Sequence, residues 1–558
     1  MTRLFNEHFK RKETSLNGSW TLLPDFNDEG VNAGWAKGLP AEGARKVIVP
    51  GVWNLEPGLF HHFGVCWYEK EVVTGSRAMF DFGAVTGLCT VYLDGVELGS
   101  HYGGFSAFRF IADTEPGAHK LILRVDASSN MQTIPLPYVD WYHYGGIIRD
   151  VTVSELPDAY IENVHYEYEL NDDLTCADVT AKIKLQAFAP CTVPVKFILE
   201  GAEVAEETVT FTCAAKTELA LSTKVENVRL WDVLKGEMYG VGIETCCDDL
   251  YDRIGFRKIE TKGTEILLNG KSLFLKGVNR HEEHPDWGFA VPAAIGQKDI
   301  NIILDMGCNT IRGSHYPNSK VFMDQLDDAG LLFWSEIPMW GFSEDRMKDP
   351  IVLERGLTMH KEMTEQYYNH PSICLWGINN ECSSNTEGGY QLCELYTNHL
   401  RAEGGNRLIT FATNVVETDI CFGLMDVISV NKYIGWYGEP IEGWNKFIPW
   451  LRQRAIECGV GDKPIVMSEF GTAAVYGYSD FTATKWTEEY QARLLKLVTE
   501  LCIEEPGIAG TYVWQYCDIR SENELNRARS YNNKGIVNEY RRPKLAYYTM
   551  KDIYTKLK

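Results

Sequence analysis

The chain has 558 residues, of which 45% are hydrophobic and 23% are charged, and its formal net charge is −23. This length exceeds one ordinary hydrophobic core, so we expect two to four domains, and the composition excludes a disordered or fibrous protein. The strong negative charge argues against nucleic acid or an anionic membrane as a partner.

The first residues contain no apolar core of a signal peptide, and no run of about 18 uncharged apolar residues follows. We therefore expect a cytoplasmic protein. The 15 cysteines are odd in number and form no C-x-x-C pair, which indicates reduced thiols rather than a disulfide framework. No cluster has the spacing of metal ligands, so the sequence implies neither a metal nor another cofactor.

The first 258 residues have the pattern of two β-rich domains. Residues 1–157 contain short β-prone runs, and the Asp-Gly turn within residues 90–99 is a strong hairpin signal. Residues 158–258 alternate more regularly, so that Val179, Ala181 and Ile183 share one face of a strand. This alternation predicts a sandwich of about 100 residues.

The remaining residues, 259–558, have a different pattern, in which eight β-prone runs alternate with helical ones. The eight runs are residues 272–279, 309–313, 331–338, 373–380, 408–413, 427–433, 464–471 and 510–516. In the first connector Ile300, Ile303 and Leu304 lie on one helical face before Gly307 ends the helix. Eight such units over this length predict a (β/α)8 barrel.

Two glutamates follow apolar strands of the predicted barrel. Glu381 comes directly after the fourth run, and Glu469 stands near the end of the seventh. Because the chemistry of such barrels lies at the carboxyl ends of the strands, both side chains are expected at one mouth. Taken singly, each could be a solvated surface charge. Glycoside hydrolysis, however, needs such a pair, with one acid to protonate the leaving oxygen and one carboxylate facing the anomeric carbon.

Motifs along the whole chain resemble glycoside hydrolase family two. In the first domain they are VPGVWN (49–54), VCWYEKEV (65–72) and YGGIIRDV (144–151), and in the barrel GVNRHEEH (277–284), IRGSHYP (311–317), WGINNE (376–381) and MSEFG (467–471). The resemblance implies an N-terminal sugar-binding jelly-roll over 1–157, an immunoglobulin-like sandwich over 158–258 and a catalytic TIM barrel over 259–558.

The resemblance also assigns roles to residues of the barrel. It implies that Glu381 is the acid/base and Glu469 the nucleophile of a retaining reaction. Asn380 matches an asparagine that hydrogen-bonds the sugar 2-OH, and Tyr433 matches a tyrosine that contacts the nucleophile. Cys382 is a departure, because the family more often has proline there. His281 and His315 lie within family motifs and are candidates for the substrate pocket.

Residues 531–537, YNNKGIV, resemble the β-glucuronidase branch of this family, in which an N-x-K pattern binds the C6 carboxylate of the sugar. The matching residues are Asn532 and Lys534. An anionic substrate that enters a strongly acidic protein needs a local cation, and an ammonium beside a carboxylate makes a charge-assisted hydrogen bond. The alternative is an ordinary turn that carries a solvated lysine.

Three further features bear on the sugar. Asp140 matches an aspartate that reaches from the first domain to the sugar 4-OH, and Trp514 matches an aromatic residue of the sugar pocket. The branch tends to carry an arginine a few residues before the asparagine, whereas here Arg527 and Arg529 bracket that place. No long insertion follows Trp340, whereas some gut bacterial relatives in this family have a loop there that covers small aglycones, so the resemblance implies a more open aglycone site.

The sequence therefore predicts a retaining exo-β-glycosidase for β-D-glucuronides, acting on a small uronic acid conjugate and assembling as a homo-oligomer. The nearest alternative is a β-galacturonidase, or an enzyme for both epimers, because the carboxylate-binding pair is shared. β-Galactosidase and β-mannosidase activities give Lys534 no partner. A more distant alternative is a non-catalytic carbohydrate-binding protein, against which the presence of both glutamates argues.

Overall fold

The computed structural model describes residues 3–521 and 527–557, and its first domain contains two larger antiparallel sheets and one short, two-stranded antiparallel sheet. One sheet has the strand order β1-β12-β6-β9, and the other has the order β3-β2-β5-β10-β7-β8. The strands are β1 Glu13–Ser15, β2 Gly18–Asp25, β3 Arg45–Val49, β4 Gly51–Val52, β5 Val65–Thr74, β6 Arg77–Phe82, β7 Leu88–Leu93, β8 Val96–Tyr102, β9 Phe108–Asp113, β10 Gly117–Asp126, β11 Gly146–Ile147 and β12 Val151–Glu155. The predicted hairpin is the β7–β8 pair, with Asp94 and Gly95 at positive φ.

The second domain is a sandwich of a three-stranded sheet, β13-β14-β17, and a four-stranded sheet, β16-β15-β18-β19. Its strands are β13 Ala159–Leu170, β14 Cys176–Ala187, β15 Cys191–Leu199, β16 Ala202–Phe211, β17 Ala215–Glu226, β18 Tyr239–Glu244 and β19 Asp249–Ile254. The predicted alternation is confirmed in β14, where Val179, Ala181 and Ile183 are buried between the sheets.

The third domain opens with a small antiparallel sheet and continues as a closed eight-stranded barrel. The strands are β20 Ile259–Lys262, β21 Glu265–Leu268, β22 Lys271–Leu273, then the barrel strands β23 Leu275–Asn279, β24 Thr310–Gly313, β25 Leu332–Glu336, β26 Ile373–Asn380, β27 Leu408–Thr413, β28 Ile428–Asn431, β29 Ile465–Phe470 and β30 Ile508–Val513, and finally β31 Ile519–Arg520 and β32 Tyr531–Asn532. Each of the eight predicted runs overlaps one barrel strand, and the predicted fold class is confirmed.

Helices pack around the barrel between its strands. They are α1 Ala293–Asp305, α2 Lys320–Ala329, α3 Glu344–Met347, α4 Pro350–Tyr367, α5 Glu387–Glu403, α6 Trp444–Glu457, α7 Glu488–Glu504 and α8 Leu545–Lys556. Gly307 follows α1 at φ 86°, as its helix-ending position predicts. Strict strand–helix alternation fails once, because residues 414–427, all described, contain a 3-10 turn at Phe422–Leu424 in place of an α-helix. In this short connector Asp419 accepts hydrogen bonds from Ser384 and from the backbone of Cys421.

Arginines join the three domains. Arg3 donates to Asp252 of the sandwich at 2.8 Å and to Asp324 of α2 at 2.9 Å. Arg257, at the end of the sandwich, donates to the carbonyl of Pro371 below the barrel at 2.6 Å. None of the helices in the described residues is long and apolar enough to span a membrane.

Candidate active site

Glu381 and Glu469 open into one cavity of about 580 Å³ at the mouth of the barrel. Glu381 directly follows β26, and Glu469 lies within β29, so that the carboxyl ends of two strands bring both side chains together. The cavity is also lined by Asp140, His315, Trp340, Asn414, Asn431, Tyr433, Tyr437, Trp514, Arg527 and Lys534. The cavity therefore unites residues from the first domain, the barrel strands and the segment after β30.

The carboxylate of Glu469 is held by two donors. Arg312 donates to Oε1 at 2.8 Å, and the hydroxyl of Tyr433 donates to Oε2 at 2.6 Å. Burial raises the pKa of Glu469, and Arg312 and Tyr433 oppose that shift because they bind the ionised form. The two bonds fix the orientation of the carboxylate and favour its ionised form.

Glu381 has a different environment. Its Oε1 accepts one hydrogen bond, from the side-chain amide of Asn431 at 3.0 Å. Burial, and next the carboxylate of Glu469, raise the pKa of Glu381 to about 7. Its backbone takes a φ of 52°, and its N–H donates to the carbonyl of Ala412 at 2.8 Å. Glu381 can therefore carry a proton near neutral pH, whereas the donors bound to Glu469 favour its ionised form.

Arg312 of β24 connects the groups below the cavity. It is fully buried, and its guanidinium forms a salt bridge with Glu336 at 2.8 Å as well as with Glu469. It also donates to Oδ1 of Asn380 at 2.8 Å. Since Asn431 donates to the same Oδ1 at 3.1 Å, the amide of Asn380 has a fixed orientation. Its Nδ2 is buried without a partner among the described residues, and it can donate to a ligand.

The predicted pocket histidines occupy different positions. His315 lines the cavity, with its ring stacked at 5.2 Å on Trp514 and its Nδ1 2.7 Å from Glu336. His281 lies behind it, 5.4 Å away between ring centroids, and is not part of the lining. Burial lowers the pKa of both rings well below the ordinary value, so both are neutral. With Nδ1–H given to Glu336, His315 presents Nε2 as an acceptor.

Lys534 provides a buried cation in the cavity. It is 1% exposed, and its Nζ donates to the hydroxyl of Tyr437 at 3.2 Å and lies 5.6 Å from the ring centroid of Tyr433. Burial lowers the pKa of Lys534. Burial opposes ionisation of Tyr437 too, yet Lys534 and Arg527 together bring its pKa below the ordinary value. Lys534 and Arg527 therefore stabilise negative charge at the position of the Tyr437 hydroxyl.

Asp140 reaches the cavity from the first domain, and its carboxylate is already occupied. Ser521 donates to Oδ1 at 2.7 Å, Asn532 donates to Oδ2 at 2.8 Å, and Arg527 donates to both oxygens. The bracketing Arg529 instead forms a salt bridge with Glu539 at 2.9 Å. Of the two arginines, Arg527 therefore lines the cavity.

Trp141 helps to fix the loop that carries Asp140. Its ring is 2% exposed and lies 5.4 Å from the ring of His315 and 6.3 Å from that of Trp340. The next residue, Tyr142, donates its N–H to the carbonyl of Arg520 at 3.0 Å. The first domain thus contributes a carboxylate to the cavity and a buried aromatic ring that packs against two of the lining side chains.

The sequence interpretation missed Arg312, Glu336, Asn431 and Tyr437. Arg312 carried one signal, since a lone arginine inside the apolar strand TIRG needs a buried counter-charge. Asn431 and Tyr437 lie in the segment NKYIGWY that identified Tyr433, but nothing in that segment marks them out. Glu336 ends β25 as Glu381 follows β26, and its apolar strand was a usable signal.

Among the described residues, two groups of His and Asp side chains lie close enough to share a metal ion, namely His8 with Asp248 and Asp249, and His370 with Asp324 and Asp327. Arg11 donates from Nε to Asp248 at 2.9 Å, and Arg3 donates from Nε to Oδ2 of Asp324 at 3.0 Å. Arginine therefore already offsets charge in both groups, and neither group lines the cavity.

Comparison with known proteins agrees with this architecture. The family model "Glycosyl hydrolases family 2, TIM barrel domain" matches residues 259–558, and "Glycosyl hydrolases family 2" matches residues 159–257. A β-glucuronidase of Streptococcus agalactiae is 25% identical over 96% of this chain and 94% of that protein.

Solved structures are similar over the full length. A GH2 β-galacturonidase from Eisenbergiella tayi bound to galacturonate has a TM-score of 0.93 and 33% identity, covering 100% of both chains. A β-glucuronidase from Ruminococcus gnavus in complex with C6-substituted uronic isofagomine has a TM-score of 0.89 and 27% identity, covering 99% of both chains. The chain belongs to glycosyl hydrolase family 2 and is a glycoside hydrolase.

Proposed function

We propose that this enzyme is a retaining exo-β-uronidase that hydrolyses β-D-glucuronides, with Glu469 as nucleophile and Glu381 as acid/base. One observation carries the proposal. A single cavity holds a donor-bound carboxylate, a carboxyl group whose pKa is raised to about 7, and the buried cation Lys534. The first two groups suit glycoside cleavage, and the third suits a substrate with a carboxylate.

The proposed reaction has two steps. The Glu469 carboxylate attacks the anomeric carbon while the bond to the leaving oxygen breaks, and Glu381 gives its proton to that oxygen. Glu381, now ionised, then takes a proton from water, whose oxygen attacks the anomeric carbon and releases Glu469. Two inversions at one carbon give net retention.

The neighbours of the glutamates support these roles. Arg312 and Tyr433 keep the nucleophile ionised and oriented, since both donate to its oxygens. The free Nδ2 of Asn380 is suited to a sugar hydroxyl, and we assign it the 2-OH. Asn431 holds the acid/base in place.

We assign the C6 carboxylate of the sugar to Lys534 and Arg527, which lie on either side of the Tyr437 hydroxyl at 3.2 and 3.4 Å. A carboxylate can make charge-assisted hydrogen bonds to both cations. Asn532 contributes through Asp140, to which it donates, and so helps to fix Arg527. A neutral hydroxymethyl group would leave the buried ammonium of Lys534 without an anionic partner, which is costly.

β-D-Galacturonide is a second candidate substrate, and the state of Asp140 favours it. A carboxylate that already accepts from Arg527, Asn532 and Ser521 has little capacity left for an equatorial 4-OH. If Asp140 is to accept a hydrogen bond from the 4-OH of a glucuronide, one of these three donors must therefore be displaced. The similarity to the Eisenbergiella tayi β-galacturonidase supports the same alternative.

The test compares kcat/KM on 4-nitrophenyl β-D-glucuronide, β-D-galacturonide, β-D-glucoside and β-D-galactoside, together with proton NMR of the first-formed sugar. We expect both uronides to exceed their neutral counterparts by about 30-fold or more, and the first product to be the β-anomer. Glu469→Ala should leave less than about a thousandth of the activity.

A glucuronide to galacturonide ratio above about ten, collapsing in Asp140→Ala, supports the glucuronide assignment. A ratio below one establishes the galacturonide alternative. Release of the α-anomer first would contradict retention, and no turnover of any glycoside would favour the non-catalytic alternative.

A further inference from the structure

A fully buried ion pair lies behind the 531–537 segment, which carries the proposed carboxylate ligand. The ammonium of Lys544 and the carboxylate of Asp518 are 2.8 Å apart, and both side chains are 0% exposed. Lys544 Nζ also donates to the backbone carbonyls of Ala474 at 2.7 Å and Asn533 at 3.0 Å. One ammonium thus joins the loop after β29, the residues after β30 and the 531–537 segment.

The same ion pair contacts the backbone next to Lys534. Asp518 Oδ1 accepts from the N–H of Gly535 at 2.9 Å. The carbonyl of Lys534 accepts from the N–H of Gln515 at 3.0 Å and from the side-chain amide of Gln491 at 3.3 Å. The backbone on both sides of Lys534 is therefore tied to buried polar groups.

Stability alone is a poor reason for this arrangement. Moving an ammonium and a carboxylate out of water is costly, and a well-packed apolar pair of similar volume is often as stable. An apolar pair, however, has no directional bonds. The hydrogen bonds of Lys544 and Asp518 end on backbone atoms of Ala474, Asn533 and Gly535, so they determine where that backbone lies.

The side chain of Lys534 depends on its backbone for its position. Its ammonium has one described hydrogen-bond partner, the Tyr437 hydroxyl, and otherwise lies near aromatic rings at 5.3 to 5.6 Å. Tyr437 is itself 65% exposed. The position of the Lys534 ammonium is therefore set mainly by the hydrogen bonds that the backbone of Lys534 and Gly535 makes.

We propose that Lys544 and Asp518 are positioning residues that place the ammonium of Lys534 for recognition of the C6 carboxylate. This inference rests on the uronidase function proposed above. Neither residue lines the cavity, so each acts through Lys534. A displacement of about 1 Å at a positioned group can lower a rate by about 100-fold, which sets the scale of the expected effect.

The experiment is a double-mutant cycle on Lys544→Met and Lys534→Met, measured as kcat/KM on the 4-nitrophenyl uronide that the wild type hydrolyses faster. Lys544→Met alone should lower kcat/KM by about 10- to 100-fold. In the Lys534→Met background the same change should cost less than about 3-fold, because the ammonium it positions is gone. Equal factors in both backgrounds would overturn the proposal, since a general structural defect acts additively.

Two further variants make the outcome decisive. Arg11→Met removes a buried ion pair with Asp248 outside the cavity, and it should lower Tm while kcat/KM stays within about 2-fold. Asp518→Asn replaces Lys544→Met if that variant does not fold, because the amide keeps an oxygen for the N–H of Gly535. It should show the same dependence on Lys534. An additive effect of Asp518→Asn would equally overturn the inference.

The cycle also separates the inference from the function on which it rests. If Lys534→Met alone leaves kcat/KM on the uronide within about 3-fold, the assignment of the carboxylate site fails and the inference fails with it. If Lys534→Met lowers kcat/KM strongly and Lys544→Met does not, the uronidase proposal stands and only the positioning role is lost.

Discussion

Glu381 and Glu469 are the same residue type, and their neighbours give them different chemistry. Glu469 accepts from a guanidinium and a phenol, both of which favour its ionised form. Glu381 accepts from the neutral amide of Asn431, and burial, together with the nearby charge of Glu469, favours its protonated form. A carboxyl that is protonated beside one that is ionised meets the needs of an acid and a nucleophile.

Glu381→Gln should separate leaving groups by their need for a proton. We expect kcat/KM for a phenyl glycoside to fall at least about 100-fold more than that for a dinitrophenyl glycoside. In the wild type, kcat/KM for the phenyl glycoside should decrease as the pH rises through about 7, because the fraction of protonated Glu381 decreases there. The variant should lack this decrease.

Steady-state kinetics are measured on both substrates between pH 5 and pH 9, a pH range that includes the raised pKa of Glu381. Tyr476→Phe is a suitable control, since Tyr476 does not line the cavity. Equal losses on both leaving groups, or a basic limb that persists in Glu381→Gln, would contradict the acid role.

At the scale of elements, the 531–537 segment packs directly against the chain after β30. A Cβ atom at Gly535 would lie 2.2 Å from the backbone nitrogen of Asp518 and 2.4 Å from the carbonyl oxygen of Val537. Both atoms belong to backbone, which cannot move aside as a flexible side chain can. The glycine is needed for this close approach.

Gly535→Ala should therefore move the segment and with it Lys534. We expect a loss of about 10- to 100-fold in kcat/KM on the uronide, with a destabilisation of about 1–3 kcal/mol. Gly423→Ala is the matched control, because nothing lies within 4 Å of a Cβ atom there. Activity of Gly535→Ala within about 2-fold of wild type would show that the segment tolerates the shift.

At the scale of the whole molecule, Arg3 connects all three domains. It precedes the first sheet, and it binds Asp252 of the sandwich and Asp324 of the barrel while its side chain is 5% exposed. Removing one partner of such a buried pair leaves the others charged and unpaired, which costs more than the pair itself contributes.

Arg3→Met should lower the free energy of unfolding by about 3–5 kcal/mol, with kcat/KM unchanged because Arg3 does not line the cavity. Thermal unfolding followed by circular dichroism measures the change in Tm. Lys182→Met is the control, since the Lys182–Glu167 pair is exposed and should contribute about 0–1 kcal/mol. An equal Tm for Arg3→Met and wild type would mean that Arg3 adds nothing to domain docking.

The sequence predicted those parts of this architecture that depend on local pattern. Alternation predicted the sandwich, and eight apolar runs predicted the barrel. The ends of two runs predicted that Glu381 and Glu469 lie at one mouth of the barrel. The partners of Asp140 could not be predicted in this way, because Arg527 is 387 positions away and no local rule links the two. The contact between Arg312 and Glu469 could not be predicted either, because the two residues come together only when the barrel closes.

The contact between Asp140 and Arg527 also limits how this enzyme can recombine with its relatives. A crossover anywhere between the two positions gives one partner from each parent, and a crossover at the end of the first domain is the simplest such exchange. If the parents differ at either position, the hybrid inherits a carboxylate or a guanidinium without its counterpart in the cavity. The first domain and the barrel are separate domains, but this contact requires that both be inherited from the same parent.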